Sequence, residues 1–511
     1  MSAESILMTS KKPRSGSVND FIYFDNNATI PMFPESIKSF ASVATCGNVS
    51  AANPVAKYWR ERANDFEYLL REAFVCPESS HELIWTSGST ECNCTVVDMF
   101  TVASTQRRVI VCTTIEHKCL LQSVQQAERN GTIVKWVEPD IDGTVSPMAF
   151  VDVLEALEVE CPGCPTLVCC MHANNETGAI NDIAAIASVV DTYRDSRDIF
   201  FYSDCAQTAG KLPINMVVID AVSLLKVPQD MSYTYCVRVP APGDQTKCKY
   251  VRIESPDEST LMEFAHLGTI TVIVLRDTNG LHETHHVNTK IVVDGICFSG
   301  HKLGGPFGIG TLLISRRFLE KKTFIPITGA QNYGLRGGTY NMPGIIGLRE
   351  AYLQMFAGHD KTMRECLAGK NKIFKIMSDA GIPVIKYIDY VMMPAKPPKC
   401  LVVFETEKQG NTLPGTLFCS IVYNSCSMQV CNVKLKDFFE QRKIVLSIGS
   451  ACNSAGGGMS HVLKAVKCPK EIALGILRIS SYNNQPSDYV AVASAIVAAF
   501  TKIEQLCIKK T

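Results

Sequence analysis

The chain has 511 residues, 46% hydrophobic and 20% charged, and its 50 basic and 50 acidic side chains cancel. That balance supports a sizeable core in two or three domains and gives no reason to expect a nucleic acid or an anionic membrane as partner. No uninterrupted apolar run reaches the length of a membrane span and the N-terminus lacks the apolar core of a secretory signal, so the expectation is a soluble, cytoplasmic protein.

Residues 1–19 carry Lys11, Lys12, Arg14 and several serines and read as a flexible leader. Its basic character allows an organelle-targeting role, against which Glu4 and its shortness argue. Phe21-Ile22-Tyr23-Phe24 is a short strand running into Asp25-Asn26-Asn27-Ala28-Thr29, a polar turn facing a pocket. Residues 57–74 repeat apolar positions at helical spacing. The strand Leu83-Ile84-Trp85-Thr86 then enters Ser87-Gly88-Ser89-Thr90-Glu91. Free N–H groups at a helix start make such a turn an anion site; taken alone it reads equally as a capped helix with Ser89 or Thr90 as N-cap.

Strand and helix patterns then alternate. Residues 109–112 precede Glu116-His117-Lys118, 132–137 precede an Asp-Gly turn, 166–171 precede His172-Ala173-Asn174-Asn175-Glu176-Thr177-Gly178, and 200–203 precede Asp204-Cys205-Ala206-Gln207. Near-continuous apolar strands between helices imply a largely parallel α/β sheet, and the polar clusters fall at the carboxyl ends, where ligands of such sheets sit. The 22 cysteines are scattered, many inside apolar runs such as Val168-Cys169-Cys170-Met171, and read as reduced thiols packed as small hydrophobes. Cys161-Pro162-Gly163-Cys164 has the spacing of half a metal site, but no second pair accompanies it and no metal is expected. Residues 218–290 break the order: strand-like runs at 233–239, 250–253 and 269–275, with Pro240-Ala241-Pro242-Gly243 between, read as a β-rich insertion. His282, His285 and His286 read there as a polar surface loop rather than as metal ligands.

The apolar run 291–298 ends in Ser299-Gly300-His301-Lys302-Leu303-Gly304-Gly305-Pro306. A single lysine just beyond a strand, with two glycines next, presents an amine where backbone can approach a ligand closely. Lysine amines matter chemically as Schiff-base nucleophiles, and pyridoxal 5'-phosphate (PLP) is the commonest carbonyl cofactor they hold. Alone, the octapeptide reads equally as an exposed lysine in a glycine-rich turn. Beyond it come a strand at 308–314, a glycine-rich loop at 329–341 and a helix from about Pro343, leading into a smaller domain with a strand at 399–404 and a helix at 435–441. Near the end, Ser447-Ile448-Gly449-Ser450-Ala451-Cys452-Asn453-Ser454-Ala455-Gly456-Gly457-Gly458 sets Cys452 among small residues, where exposure and mobility suit a reactive thiol. A loop cysteine without a role is the plain alternative.

In this order the motifs resemble those of PLP-dependent cysteine desulfurases of the NifS/IscS kind, within the class V aminotransferases. The resemblance is carried by Asp25 to Thr29, Ser87 to Glu91, Glu116-His117, Asn174 to Gly178, Asp204 with Gln207, Ser299 to Lys302, Arg336 with Thr339 and Asn341, Gly449 to Cys452, and Leu477-Arg478. It implies an α/β, type I PLP-dependent transferase fold with a leader (1–19) and a large cofactor-binding domain (20–345) interrupted by the insertion 218–290. A smaller α+β domain (346–511) would carry the cysteine loop 447–458.

The resemblance also implies roles. Lys302 would hold the cofactor as a Schiff base, Asp204 would meet the pyridinium nitrogen, and Gln207 and Asn175 would lie beside the phenolic oxygen. His117 would stack on the ring and move protons. The phosphate would lie among Ser89, Thr90, Ser299 and His301, with Thr339 donated by the second subunit of a homodimer. Asn27, Asn175 and Arg478 would bind the substrate, Arg478 through its carboxylate. The implied reaction takes sulfur from L-cysteine, giving alanine and a persulfide on Cys452 for a sulfur-acceptor protein such as an iron–sulfur scaffold, or for tRNA thiolation. A selenocysteine lyase or other class V lyase, and a weakly active sulfur-delivery scaffold, are the alternatives. The chain departs from the family pattern in three places. Gly47-Asn48-Val49-Ser50-Ala51-Ala52-Asn53-Pro54 lacks the usual histidine, Asp204 and Lys302 lie further apart because of the insertion, and Gly456-Gly457-Gly458 is richer in glycine.

Overall fold

The structure is a computed structural model that describes residues 20–43, 48–219, 227, 233–241, 244–254, 257–262, 270–276, 282–287, 289–406, 411–425, 430–448 and 459–508. The leader and Cys452 therefore lie outside the described residues.

Seven apolar runs form the central sheet, in the order His81–Thr86, Gly310–Ser315, Gly295–Ser299, Ile199–Asp204, Thr166–Cys169, Val109–Thr113 and Ile133–Val137. All run parallel except Gly310–Ser315. Every residue of the first six is buried, because the sheet is covered on both faces; their middles are mostly apolar and buried polar residues such as Asp204 and Ser299 stand at their ends. The period-2 alternation then sends neighbours to different cores. Val111, Val168, Phe201 and Ile296 join one cluster, while Ile110, Leu167, Phe200 and Cys297 join the other. The strand cysteines Cys112, Cys169 and Cys297 are buried free thiols in that second core.

A smaller sheet orders Val384–Lys386, Lys399–Val403, Thr416–Tyr423 and Ile476–Ser480, and the helices Met342–Asp379 and Pro486–Ile508 pack beside it. Tyr489, Val492, Ile496 and Phe500 bury the inner face of the last helix in this core. Two features cross the boundary expected at residue 345. Met342–Asp379 runs through it as one helix, started by Asn341, whose Oδ1 accepts the Gly344 N–H at 3.0 Å. At the other end of the chain, Ile22–Phe24 pairs in parallel with Ile444–Leu446 and buries Phe24 in the smaller core. A three-residue apolar run carries no signal of which core it will join; the distant partner strand decides.

Between the strands Ile199–Asp204 and Gly295–Ser299, Val217–Ile219 and Thr289–Ile291 pair as an antiparallel stem. A four-stranded antiparallel sheet lies within, ordered His282–Val287, Ile270–Arg276, Tyr233–Ala241 and Asp244–Ile253. Here one expectation is corrected: His282, His285 and His286 belong to a strand, not a loop, His285 standing opposite Val272 and His286 opposite Thr271. The histidine-rich run lacks an apolar pattern of its own, and the β-branched neighbour Ile270–Arg276 supplies the pairing edge.

Candidate active site

The strand Gly295–Ser299 ends in a 3-10 turn, Gly300–Lys302, that projects Lys302 at the carboxyl edge of the sheet. Gly300 is required there, since an added Cβ would lie 2.7 Å from Ile309 Cγ2 and 2.8 Å from the Pro306 carbonyl oxygen. Lys302 Nζ donates to the carbonyls of Asn27 and, at 2.9 Å, Ala28. Desolvation, followed by the positive charges of Lys211 and Arg478, lowers the half-buried amine to about 7. A lysine so placed is a nucleophile near neutral pH.

At one end of the surrounding cavity, His81–Thr86 runs through Gly88 into the helix Ser89–Thr101. Gly88 is the N-cap and offers no side chain of its own, so apart from the Ser89 N–H, taken by Ser299, the first turn is left toward the cavity as a site for an anion. Ser299 Oγ accepts the Ser89 N–H at 2.7 Å and lies 3.0 Å from Ser89 Oγ. Glu91 fixes the same turn from behind: it accepts the Ser87 N–H at 2.8 Å and pairs with Arg336 through both oxygens, at 2.8 and 3.2 Å. Although burial works the other way, those bonds hold the Glu91 carboxyl below its ordinary value. His301 closes this side, its ring stacked on Phe307 with centroids 5.4 Å apart and burial lowering its basicity to about 4.

On the floor, Asp204 ends the strand Ile199–Asp204 and is 5% exposed. Its two oxygens are committed separately, Oδ2 to Asn93 Nδ2 at 2.8 Å and Oδ1 to the Ala206 N–H at 2.9 Å. Gln207 donates from Nε2 to the Asn27 carbonyl at 3.1 Å, and its buried Oε1 has no partner among the described residues. His117 is the N-cap of Lys118–Arg129: Nδ1 accepts the Cys119 N–H at 3.3 Å, with Cys119 Sγ 3.0 Å from the same nitrogen. Crowding by protein pushes His117 below its ordinary pKa, with Lys302 adding to the effect and Asp204 opposing it, while the ring keeps surface open to the cavity. Beneath it, burial raises the Glu116 carboxyl to about 8, and Oε1 accepts from Thr113 Oγ1 and the Met171 N–H, both at 2.6 Å.

The opposite end is assembled from segments far apart in the chain. Arg478, on Ile476–Ser480, pairs with Asp25 Oδ1 at 2.7 Å and donates to the Asn175 carbonyl at 2.9 Å, and its buried Nε has no partner among the described residues. Asn27 Nδ2 donates to Thr416 Oγ1 at 3.0 Å and to the Asn175 carbonyl at 3.3 Å. Both roots of the segment holding Cys452 attach here. Ser447 exchanges backbone hydrogen bonds with Arg478, at 3.1 and 2.7 Å, while Ser460 Oγ donates to Glu176 at 2.7 Å and His461 Nε2 lies 2.8 Å from the Glu116 carbonyl oxygen.

The cavity of about 360 Å³ thus gathers Asn27, Ser89, Thr90, His117, Asn175, Asp204, Gln207, Ser299, His301, Lys302 and Arg478. Thr339 is exposed on its loop and does not line it, and Cys452 lies outside the described residues. Cys119, Met171, Ala173 and Ala206 also line it, and Asn93 supports it, yet none belongs to a motif that names a role. A hollow of about 430 Å³ across the same sheet end, beside His172 and Asp182, holds no comparable amine.

A profile of the class-V aminotransferases matches residues 22–224 and 258–377. The chain belongs to that family. Its members use PLP, and the aminotransferase fold here offers an amine, a fixed carboxylate, an uncapped helix start and the orphaned Gln207 Oε1 around one cavity, a set that fits the cofactor. Among curated relatives, cysteine desulfurase IscS of Pseudomonas putida is 25% identical over 95% of this chain and 94% of its own, and that of Pseudomonas fluorescens is 24% identical over the same shares. Solved structures with a similar fold include a NifS-like protein from Rickettsia africae (TM-score 0.65, 19% identity, 94% of this chain and 99% of that one). Another is the apo cysteine desulfurase of Thermococcus onnurineus (TM-score 0.62, 15% identity, 94% and 95%).

Proposed function

We propose that this aminotransferase-family protein is a PLP-dependent cysteine desulfurase acting on L-cysteine. The observation that carries it is the convergence of Lys302, Asp204, an uncapped helix N-terminus and Arg478 on one cavity. The names of the curated relatives point the same way. Bound PLP supplies an electrophilic carbon and a ring that takes up the electron pair left when a substrate Cα loses its proton.

The chain's own residues do the rest. Lys302 Nζ attacks as a free amine and holds or releases a proton near neutral pH. Asp204, with both oxygens oriented by Asn93 and Ala206, places negative charge where a protonated ring nitrogen is favoured. His117 accepts a backbone N–H at Nδ1, so its neutral ring carries the proton at Nε2. Arg478 lines the cavity beside Asn27 and Asn175, where its guanidinium can take a substrate carboxylate. Cys452 would take the sulfur: the substrate C–S bond breaks, an S–S bond forms, and L-cysteine plus thiol become alanine plus persulfide without an outside oxidant.

The same proposal extends to a cytoplasmic homodimer in which Thr339, exposed here, reaches the partner's phosphate, and to a sulfur-acceptor protein such as an iron–sulfur scaffold. The test is direct. Purified protein should be yellow, and sulfide and alanine should form from L-cysteine in wild type but not in Lys302→Ala or Cys452→Ser. A colourless protein in excess PLP would refute the cofactor, and full sulfide release by Cys452→Ser would point to another lyase.

A further inference from the structure

Lys211 is 7% exposed and has no hydrogen-bond or ion-pair partner among the described residues. A buried amine without a carboxylate is costly to keep charged, so its retention calls for a physical reason. Lys211 ends the tight turn 205–211, where its N–H donates to the Thr208 carbonyl at 2.8 Å. The turn packs directly against the one that carries Lys302: Gly210, at φ +70°, lies so near Leu303 that an added Cβ would sit 2.8 Å from Leu303 Cδ2. Lys211 lines a cavity of about 20 Å³ whose wall includes Asn26 and Asn27. From the catalytic side, the Asn27 carbonyl accepts both Lys302 Nζ and Gln207 Nε2. Two lysines therefore flank the Asn26-Asn27 turn, one open to the cofactor cavity and the other shut off from it.

We propose that Lys211 is a positioning residue for the cofactor-binding amine: an unpartnered buried cation behind Asn27 disfavours a second positive charge on Lys302 and so keeps that amine ready to capture a carbonyl carbon. This rests on Lys302 being the cofactor lysine. The charges facing Lys302 are Asp204 from the central sheet, Asp25 from the N-terminal turn and Arg478 from the smaller sheet, with the rings of His117 and His301 beside it. The carboxylates favour the ammonium, and Lys211 and Arg478 oppose it, Lys211 the more strongly. Lys211 itself faces Cys366 of the long helix, whose thiol burial raises, and burial lowers Lys211 to about 8.

The experiment uses the apo protein, dimethylated on lysine with 13C-formaldehyde and titrated by NMR, with the Lys302 signal assigned by its loss in Lys302→Arg. Lys211→Met and Lys211→Gln, both uncharged, should each raise the Lys302 midpoint by roughly one pH unit, a tenfold change in its free-amine fraction, and Lys211→Arg should leave it near wild type. Lys211→Met should also raise the thermal midpoint of the apo protein by relieving a buried cation. A Lys302 midpoint unmoved in Lys211→Met and Lys211→Gln overturns the proposal, as does an equal shift in Lys211→Arg, which would make it a packing effect. Failure of wild type to take up PLP would instead sink the cofactor assignment, because the titration needs no cofactor.

Discussion

The two ends of the catalytic cavity are built on different principles. The anion end comes from the edge of one sheet: Ser89, Thr90 and Ser299 sit where adjacent elements emerge, Ser89 and Ser299 joined by neutral hydrogen bonds at 2.7 and 3.0 Å, with the ion pair of Glu91 and Arg336 set behind the turn. The substrate end is gathered from Asp25, Asn27, Asn175 and Arg478, where two cores meet, and an ion pair at 2.7 Å holds it. A cofactor that stays can be met by preformed dipoles of one rigid layer. A substrate that comes and goes is met by a guanidinium whose charge is compensated by Asp25 in the meantime, with donors left over. Substitutions at the centre should abolish function, those at the substrate end should move KM, and those at the anion end should move cofactor affinity alone.

The largest effect lies at the centre, which serves both ends. Lys302→Ala should lower desulfuration by at least about 10³-fold and abolish the covalent chromophore while PLP still binds. Asp204→Asn removes the charge and leaves one acceptor oxygen for the two donors Asn93 Nδ2 and the Ala206 N–H, and should cost roughly 10²-fold in kcat with a chromophore still present. Capture of PLP by the apo protein should be about tenfold slower at pH 6 than at pH 8, since Lys302 loses its proton near 7. The sign also applies to stability. The folded-state value lies below the ordinary 10.5, so between about 7 and 10.5 the unfolded chain binds the extra proton, and the apo protein should gain thermal stability as pH rises through that window. A Lys302→Met protein should lose the Lys302 share of that slope and keep the share of Lys211, which burial lowers to about 8.

What the sequence disclosed follows the same division. The anion end was legible because each of its two pieces is a local pattern with a physical meaning, a strand running through a Gly/Ser turn into a helix start and a strand ending at Ser299, although the two meet across 210 residues of chain. The sheet strands were legible because burial on both faces makes their middles mostly apolar, with polar residues such as Thr113, Asp204 and Ser299 at their carboxyl ends. Arg478 and Asp25 touch across 453 residues of chain, and no local pattern announces that pairing. Asn93, Cys119 and Lys211 were silent for another reason: each lies in an ordinary helix or turn, and its importance comes from the side chain it faces after folding. The boundary near 345 came from the family resemblance, and the helix read from about Pro343 is the element that runs through it, spanning both cores as Met342–Asp379.

At the substrate end, Arg478→Lys keeps a charge but loses the fork that contacts Asp25 and Asn175 together, so KM for L-cysteine should rise about tenfold with a smaller change in kcat. The weakest and most discriminating change is Ser299→Ala at the anion end. Its hydroxyl accepts the Ser89 N–H at 2.7 Å and donates to Ser89 Oγ at 3.0 Å, so removal takes away both bonds but leaves the N–H and the helix start in place, and the phosphate loses one hydroxyl donor. Such a bond contributes about 1 kcal/mol, so the dissociation constant for PLP should rise roughly fivefold. With PLP saturating, kcat and KM for L-cysteine should stay at wild-type values, because nothing at the Arg478 end is disturbed. A changed KM in Ser299→Ala would mean that the two ends are coupled through Lys302 and its turn, and the division between a fixed cofactor end and an exchangeable substrate end would fall.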